Sequence, residues 1–321
     1  MKWRWAIAGL GVALAGAALA NNPQFPGADP HAMFIGDELW VFPTGGPGKV
    51  WQNERFRAFS SKDLKTWTPR GDLISAEDIG WIKEDGAPAH FLWAPGVATR
   101  GGKYYLYFSV GPQNPTPSRI GVAVADRPEG PYRDSGRPLV NDGGNGFEAI
   151  DPMVFVDPKS GKAYLYAGGS AGATLRVWEL GPDMISIARE IKVATPANFT
   201  EGAFVHARGG TYYLSYSHGH WNAGDYSVHY ATASSPTGPW TYRGAILTSD
   251  ARHQGPGHHS FVRTPSGKWL IVYHRWERGP GPGPYKGTRQ IAIDTLHYAP
   301  DGRILPVRMT DGAASPTLPL R

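Results

Sequence analysis

The chain has 321 residues, of which 41% are hydrophobic and 12% aromatic, with 42 glycines, 29 prolines and a formal net charge of +5. It contains no cysteine, which excludes disulfides, thiolate metal sites and lipidation at a cysteine. Its positive charge is not gathered into a cluster of Lys and Arg among aromatic residues, so we expect no nucleic-acid partner. A core of roughly 300 residues is large enough to be stable without covalent cross-links.

Residues 1–20 have the pattern of a secretory signal peptide. Lys2 and Arg4 precede an apolar run from Ala6 to Ala20 that ends in small residues. A membrane anchor is the alternative, but the run is rich in Ala and Gly and shorter than a membrane-spanning helix. Because export without disulfides fits a bacterium, we expect a periplasmic or secreted bacterial protein with no membrane anchor after cleavage.

From residue 21 onward one pattern recurs five times: a short apolar strand, a tight turn that usually contains glycine, and an aromatic strand. Equivalent points of the five copies are 65, 57, 51 and 57 residues apart; they are Asp29, Ala94, Asp151, Gly202 and His259. Repeats of this length are typical of β-propellers. The sequence therefore predicts an all-β, five-bladed propeller in a single domain over residues 21–310, followed by a tail at 311–321.

The predicted elements follow one another in the same order in each repeat. The first hairpins are predicted over residues 29–41, 94–107, 151–166, 199–217 and 259–272. The third strands are predicted over 56–59, 120–125, 175–178, 227–232 and 290–294. An outer turn or strand ends each repeat, at 66–68 in the first and at 299–302 in the fifth. Longer insertions at 45–53, 75–90, 111–118, 219–225 and 279–287 would wall a pocket on one face.

Three of the five repeats have a carboxylate at the start of the inner strand: Asp29, Asp151 and Glu201. A propeller brings these starts together, and crowded carboxylates drive their pKa values apart, which leaves one protonated acid and one ionised base. Hydrolysis of a glycosidic bond requires such a pair. A common Asp-Pro turn is the alternative explanation of Asp29 and Asp151, and Glu148 is an alternative acid.

Short motifs recur in the order of the blades: Ala28-Asp29-Pro30, Trp93-Ala94-Pro95, Ile150-Asp151-Pro152, Glu201-Gly202, Gly257-His258-His259-Ser260 and Arg289-Gln290. With these motifs the whole mature chain resembles family 43 glycoside hydrolases, five-bladed propellers that act on arabinofuranosides and xylosides with inversion. The resemblance implies that Asp29 is the general base, that Glu201 is the general acid and that Asp151 orients Glu201 and tunes its pKa. An inverting pair would stand roughly 6.5–9.5 Å apart.

The resemblance also suggests residues that bind substrate or metal. Arg289 would reach sugar hydroxyls, with a surface salt bridge as the alternative, and Trp93 would stack on a sugar or be buried by packing. His258 would lie near a bound calcium or bind substrate, although its neighbour His259 could exchange roles with it. Calcium prefers oxygen ligands, so we expect a hydrated structural ion at the axis at most, and no required cofactor. Further candidates for the pocket edge are His31, Phe34, His220 and Trp221.

The expected function is that of an inverting, exo-acting glycosidase that releases terminal α-L-arabinofuranosyl groups from plant cell-wall glycans. Alternatives of the same class are β-xylosidase, β-galactofuranosidase and exo-β-1,3-galactanase, since substrate choice depends on loops. A carbohydrate-binding propeller without catalysis is the alternative of another class. Ala203 stands where endo-arabinanases usually carry proline, which argues against endo action. We expect a monomer whose partner is its arabinose- or xylose-containing substrate.

Overall fold

The computed structural model describes residues 22–45, 52–144, 146–170 and 172–312. Within these ranges the strands form five antiparallel sheets of four strands each, the predicted five-bladed β-propeller. The predicted signal peptide, residues 1–20, lies outside the described residues. No helix in the described part of the chain is long and apolar enough to cross a membrane.

The strands follow in chain order, and the first of them belongs to the last blade. That strand is β1 (Phe25–Pro26). The strands of blade 1 are β2 (Ala28–Ile35), β3 (Glu38–Thr44), β4 (Arg55–Ser61) and β5 (Thr68–Ser75). The strands of blade 2 are β6 (Leu92–Arg100), β7 (Lys103–Val110), β8 (Arg119–Ala125) and β9 (Arg133–Asp134). Two 3₁₀ segments, Ala76–Asp78 and Gly80–Asp85, lie between these two blades.

The remaining three blades repeat this plan. The strands of blade 3 are β10 (Met153–Val156), β11 (Ala163–Ala167), β12 (Arg176–Leu180) and β13 (Ile187–Ile191). The strands of blade 4 are β14 (Glu201–Arg208), β15 (Thr211–His218), β16 (Ser227–Ala233) and β17 (Thr241–Leu247). The strands of blade 5 that follow in sequence are β18 (His253–Arg263), β19 (Trp269–Glu277) and β20 (Gln290–Leu296).

The fourth strand of blade 5 comes from the other end of the chain. Strand β1 pairs with β20, with Phe25 opposite Ile291, so the first described residues complete the last blade. The prediction that residues 299–302 close this blade is wrong, because Tyr298 and Ile304 form only an isolated bridge. A two-residue strand has too few positions to show an alternating pattern. Contacts with the propeller also continue past residue 310, where the sequence placed the boundary, since Arg275 donates to Asp311 at 2.9 Å.

Both faces of each blade are covered by neighbouring blades, which is why the second strands are aromatic and almost continuously apolar. The first strands β2, β6, β10, β14 and β18 pack side by side around the central axis. Tyr107, Tyr166 and Tyr216 on successive second strands are fully buried. The hydroxyl of Tyr107 donates to the Met184 carbonyl at 2.7 Å in the next blade, so its polar atom is satisfied. This packing fixes the inner strands and therefore the residues at their starts.

Candidate active site

In each blade one equivalent residue, just before or within the inner strand, lies in the left-handed backbone region. The φ angles are 48° at Asp29, 47° at Ala94, 59° at Asp151, 62° at Gly202 and 40° at His258. A non-glycine residue in this region costs about 1–3 kcal/mol, so its surroundings must hold it there. The fifth equivalent residue is thus His258, and the sequence prediction of His259 is off by one.

A hydrogen bond between blades holds four of these five residues. The backbone N–H donates to a side chain at the end of the second strand of the preceding blade. The bonds are Ala94 to Thr44 Oγ1 at 2.7 Å, Asp151 to Ser109 Oγ at 2.8 Å, His258 to Ser217 Oγ at 2.8 Å and Asp29 to His274 Nδ1 at 3.1 Å. These side chains align the starts of the inner strands of neighbouring blades with one another.

Blade 3 differs because Gly168 stands where the other blades have Thr, Ser or His. A Cβ atom at Gly168 would lie 1.9 Å from the Thr174 carbonyl oxygen, and its φ is 141°, so no other residue fits. The N–H of Gly202 therefore has no side-chain acceptor on the second strand of blade 3, and it donates to Asp151 Oδ2 at 3.1 Å. This bond ties Asp151 of blade 3 to the residue that follows Glu201 in blade 4.

The starts of the inner strands and the loops beside them surround a cavity of about 80 Å³. The residues that line it are Asp29, Trp93, Gln113, Ile150, Asp151, Ser170, Glu201, Trp221, His258 and Arg289. All six residues that the sequence predicts to act in catalysis or binding are among them, as is the further candidate Trp221. Larger surface hollows between blades 1 and 2, lined by residues such as Arg55, Glu77 and Tyr132, include none of the three axial carboxylates.

Asp29 lies among cationic and hydrogen-bonding groups. Arg289 Nη1 donates to Asp29 Oδ1 at 3.0 Å, and the Nδ1 atoms of His258 and His274 lie 3.4 and 3.5 Å from the same oxygen. Burial alone would raise the pKa of Asp29, but Arg289, the two histidines and a hydrogen bond from Thr44 together hold it well below its usual range. Asp29 is therefore ionised.

Glu201 lines the same cavity, but its neighbours offset less of the effect that burial has on its pKa. The hydroxyl of Tyr226 donates to Glu201 Oε1 at 2.7 Å. Burial raises the pKa of Glu201 to about 7; the Tyr226 hydrogen bond and Arg289 lower it, while the charges of Asp29 and Glu148 raise it. A carboxyl group with this pKa still holds its proton in much of the population near neutral pH.

Of the three carboxyl groups, Asp151 is the one whose ionised form is most disfavoured. Burial, followed by the charges of Glu201, Asp29 and Glu148, raises the pKa of Asp151 well above its usual range, against the lowering effect of the Gly202 N–H. Like charges this close in a buried site cannot all ionise. Asp151 and Glu201 therefore compete for protons while Asp29 remains ionised, which is the separation of roles that acid–base chemistry requires.

Comparisons with known proteins identify the family of this chain. The profile of the family described as "Glycosyl hydrolases family 43" matches residues 22–304. The chain belongs to glycosyl hydrolase family 43. It is 39% identical to a β-D-galactofuranosidase of Aspergillus niger, over 93% of this chain and 88% of the relative. It is 31% identical to a xylosidase/arabinosidase of Humicola insolens, over 87% of this chain and 95% of the relative.

A third relative and a solved structure extend the comparison. An arabinoxylan arabinofuranohydrolase of Bacillus subtilis is 32% identical over 87% of this chain and 61% of its own length. A crystal structure of a family 43 β-xylosidase/α-arabinofuranosidase from a compost microbial metagenome has a TM-score of 0.71 and 29% identity. The match covers 90% of this chain and 97% of that one. The protein is thus a glycoside hydrolase of family 43, and its substrate is a carbohydrate.

His258 stands between two carboxylates of this glycosidase. Its Nδ1 lies 3.4 Å from Asp29 Oδ1 and 3.6 Å from Asp151 Oδ2. Burial lowers the pKa of His258, the charge of Asp29 opposes this, and Arg289 lowers it further. His259 does not line the cavity; its Nε2 lies 2.7 Å from Ser215 Oγ. The two neighbours therefore do not exchange roles.

The residues near His258 do not form a primary calcium site. Calcium takes several oxygen ligands, and the carboxylates beside His258 already face Arg289, Gly202 or one another. A separate group of His253, Glu277 and Asp311 in the described residues has ligand atoms at suitable spacing. Arg275 already donates to both of its carboxylates, at 2.6 and 2.9 Å, and so supplies the cation there. Bound calcium stays a prediction, and only for a hydrated ion.

Two tryptophans form walls of the cavity. Trp93 is packed against Gly111, where a Cβ atom would lie 2.0 Å from the indole ring, and stacks on Phe91 with ring centroids 6.2 Å apart. Trp221 lies under the guanidinium of Arg289 at 5.1 Å from the ring centroid. Arg289 is buried and bonded to Asp29, so the alternative of a surface salt bridge is wrong. Flat aromatic walls suit the C–H face of a sugar ring.

Several candidates from the sequence lie elsewhere, and several neighbours were missed. His220 is exposed and bonds Asp225 at 2.8 Å, and neither His31 nor Phe34 lines the cavity. Glu148 is buried outside the cavity lining, where Ser170 donates to it at 3.3 Å. The missed residues are Tyr226, His274, Gln113, Ile150 and Ser170. Of these, His274 could have been found, because it occupies the second-strand position of Thr44, Ser109 and Ser217.

Proposed function

We propose that this family 43 enzyme is an inverting, exo-acting glycosidase that releases terminal α-L-arabinofuranosyl groups from plant cell-wall glycans. The observation that carries the proposal is the unequal protonation of two carboxylates in one cavity. Asp29 is ionised beside Arg289, whereas the pKa of Glu201 is raised to about 7. A carbohydrate-binding propeller would have no use for a matched base and acid.

In the proposed reaction Asp29 and Glu201 act on opposite sides of the scissile bond. Asp29 takes a proton from a water molecule, whose oxygen attacks the anomeric carbon. Glu201 gives its proton to the glycosidic oxygen as the bond between that oxygen and the anomeric carbon breaks. One proton is gained by Asp29 and one is lost by Glu201, so water is consumed and the sugar is released with inverted configuration. Asp151 keeps Glu201 in place through the N–H of Gly202.

The walls of the cavity and the names of two relatives support exo action on a terminal sugar. Trp93 and Trp221 both line the cavity, which favours one sugar ring at a chain end over a long polymer. The Bacillus subtilis relative is named for arabinofuranose release from arabinoxylan, and the Humicola insolens relative is named a xylosidase/arabinosidase. These names favour pentose-containing glycans.

A second candidate is β-D-galactofuranosidase activity, favoured by the 39% identical relative of Aspergillus niger. β-D-Galactofuranose has the same ring configuration as α-L-arabinofuranose and carries one additional hydroxymethyl-bearing carbon. The two substrates therefore differ only in the room that they need beyond the ring. A third candidate, β-xylosidase activity, is favoured by a solved β-xylosidase with 30% identity and a TM-score of 0.70.

The test is release of p-nitrophenol from α-L-arabinofuranoside, β-D-galactofuranoside, β-D-xylopyranoside and β-D-galactopyranoside. We expect the highest kcat/KM on the α-L-arabinofuranoside, and a loss of activity in Asp29→Ala. Highest activity on the galactofuranoside or the xyloside would replace the sugar in the proposal. No hydrolysis of any of the four substrates or of arabinoxylan, together with retained glycan binding, would establish the alternative of a carbohydrate-binding protein.

We further propose that residues 1–20 direct export. The support is the basic start and the apolar run that ends at Ala20. N-terminal sequencing of protein recovered from the periplasm or the medium of a bacterial host should begin after Ala20. Full-length protein retained in the cytoplasm would contradict this proposal.

A further inference from the structure

A chain of hydrogen bonds runs from the backbone of blade 5 to the carboxyl group of Glu201. The N–H of His258 donates to Ser217 Oγ at 2.8 Å. Ser217 is in turn hydrogen-bonded to the hydroxyl of Tyr226. Tyr226 donates to Glu201 Oε1 at 2.7 Å. Ser217 and Tyr226 are fully buried, whereas Glu201 and His258 line the cavity.

The direction of this chain is set at both of its ends. A backbone N–H can only donate, so the oxygen of Ser217 accepts from His258. Tyr226 has a single hydrogen, which it donates to Glu201 Oε1, so its oxygen is left to accept from Ser217. Burial raises the pKa of Tyr226 well above its usual value, so this hydroxyl keeps its hydrogen at every working pH. Glu201 Oε1 is therefore an acceptor.

We propose that Tyr226 is a positioning residue that fixes the acidic proton of Glu201 on Oε2, an inference that rests on the proposed function. A carboxyl oxygen that already accepts a hydrogen bond from Tyr226 is disfavoured as the site of the proton, because the hydroxyl oxygen of a carboxylic acid is a weaker acceptor than its carbonyl oxygen. In the reaction the proton leaves Oε2 for the glycosidic oxygen. The carboxylate that forms keeps the Tyr226 hydrogen bond, which becomes charge-assisted and stronger.

The surroundings hold the Tyr226 ring in one place, independently of its hydroxyl. A Cβ atom at Gly257 would lie 2.1 Å from the ring, so a glycine there makes room for the tyrosine. On another side the ring stacks on His274 at 5.7 Å between centroids and 7° between planes. His274 in turn accepts the N–H of Asp29 at 3.1 Å. Tyr226 is thus in place before substrate arrives, and phenylalanine would fit the same space.

The expected consequences follow from the groups that face Glu201. They are Tyr226, Asp29, Asp151, Arg289 and Glu148. Of these, Tyr226 contributes the hydrogen bond that favours the ionised form, so Tyr226→Phe should move the basic limb of the kcat/KM profile up by about one pH unit. The same variant should lose about tenfold in kcat on substrates with an alcohol leaving group, which need the acid. Its kcat on a 2,4-dinitrophenyl glycoside, whose leaving group needs no proton, should change less than about twofold.

The experiment compares Tyr226→Phe with wild type and with Tyr216→Phe on the glycoside identified by the substrate panel. Tyr216 is a matched control in the same blade, buried and bonded through its hydroxyl to the Ala197 carbonyl at 2.7 Å. The control should keep the wild-type pH profile and the wild-type ratio between the two leaving groups. An equal loss of kcat on both leaving groups with an unmoved basic limb would overturn the inference and leave Tyr226 a packing residue.

A second variant keeps the inference testable if Tyr226→Phe does not fold. Ser217→Ala removes the donor to Tyr226 and should give a smaller change of the leaving-group ratio in the same direction; no change would contradict the directed chain. Failure of the proposed function has a different signature. In that case wild type would be inactive, or Glu201→Gln would keep full activity on an alcohol leaving group, whatever Tyr226 does.

Discussion

Asp29 accepts a hydrogen bond from the guanidinium of Arg289, whereas Glu201 accepts one from the neutral hydroxyl of Tyr226. Both carboxyl groups are buried, and burial alone raises the pKa of each. The permanent charge of Arg289, together with the two histidines, reverses this effect for Asp29, while the neutral donor reverses only part of it for Glu201. The pKa values of the two carboxyl groups therefore differ because of their neighbours and not because of their depth.

The pH profile of kcat/KM should report these two environments. Because the pKa of Glu201 is about 7, activity should fall as the pH rises through about 7 and Glu201 loses its proton. Because the pKa of Asp29 is held well below its usual range, we expect no acidic limb between pH 4 and 6. An acidic limb near pH 5 in the folded wild-type enzyme would contradict the assignment of Asp29.

Removal of the Arg289 charge should leave the effect of burial on the pKa of Asp29 largely uncompensated. In Arg289→Gln the largest lowering effect on the pKa of Asp29 is gone, so that pKa should rise and an acidic limb should appear in the measured range. At pH 5 we expect kcat/KM to fall more than about a hundredfold, a value in the range of lost acid–base catalysis. Arg278→Gln, a change at an exposed arginine, is the control and should leave the profile unchanged.

At the level of the strands, an interblade hydrogen bond holds each of the five equivalent inner-strand residues with positive φ. Thr44, Ser109, Ser217 and His274 supply it in four places, and Asp151 supplies it where Gly168 has no side chain. Asp151, the residue proposed to act on Glu201, thus also carries a structural bond between blades 3 and 4.

Ser109→Ala should destabilise the protein by about 1–3 kcal/mol, because the buried N–H of Asp151 would lose its partner. Thermal or urea unfolding measures the change. Ser118→Ala is a matched control, since the Ser118 hydroxyl is buried without a hydrogen-bond partner and its removal should be close to neutral. Equal effects of the two substitutions would contradict a special role of the interblade bond.

The hairpin repeat and the carboxylates could be predicted because each blade repeats its pattern locally in the sequence. The choice between His258 and His259 could not, because two adjacent histidines at an irregular strand start are equivalent until the backbone fixes which one has positive φ. Tyr226 was missed because it meets Glu201 only after two strands of blade 4 come together. The separation of Asp29 and Glu201 by roughly 6.5–9.5 Å stays a prediction.

For the whole molecule, closure of the ring depends on the residues just before blade 1. Strand β1 completes blade 5, and the side chain of Asn22 bonds both the carbonyl and the N–H of Ile293, each at 2.9 Å. These bonds join the first described residues to the last blade. The cavity lies between the blades, so its shape depends on a closed ring.

Asn22→Ala should lower the free energy of unfolding by about 2–4 kcal/mol, because two buried backbone groups of Ile293 would lose their partners. The midpoint of urea unfolding is the measurement. Asn141→Ala, at an exposed asparagine, is the control and should change the midpoint little. An unchanged midpoint in Asn22→Ala would show that the ring does not need this closure.

We propose that Asp29 and Glu201 hydrolyse the bond by a single inverting displacement. Proton NMR during the first minutes of hydrolysis, before the released sugar mutarotates, reports the stereochemistry of this step. From an α-L-arabinofuranoside we expect the β anomer of L-arabinofuranose to appear first, and we expect Glu201→Gln to slow its appearance for an alcohol leaving group. First appearance of the α anomer would show retention and would contradict the assignment of Asp29 as a base that activates water.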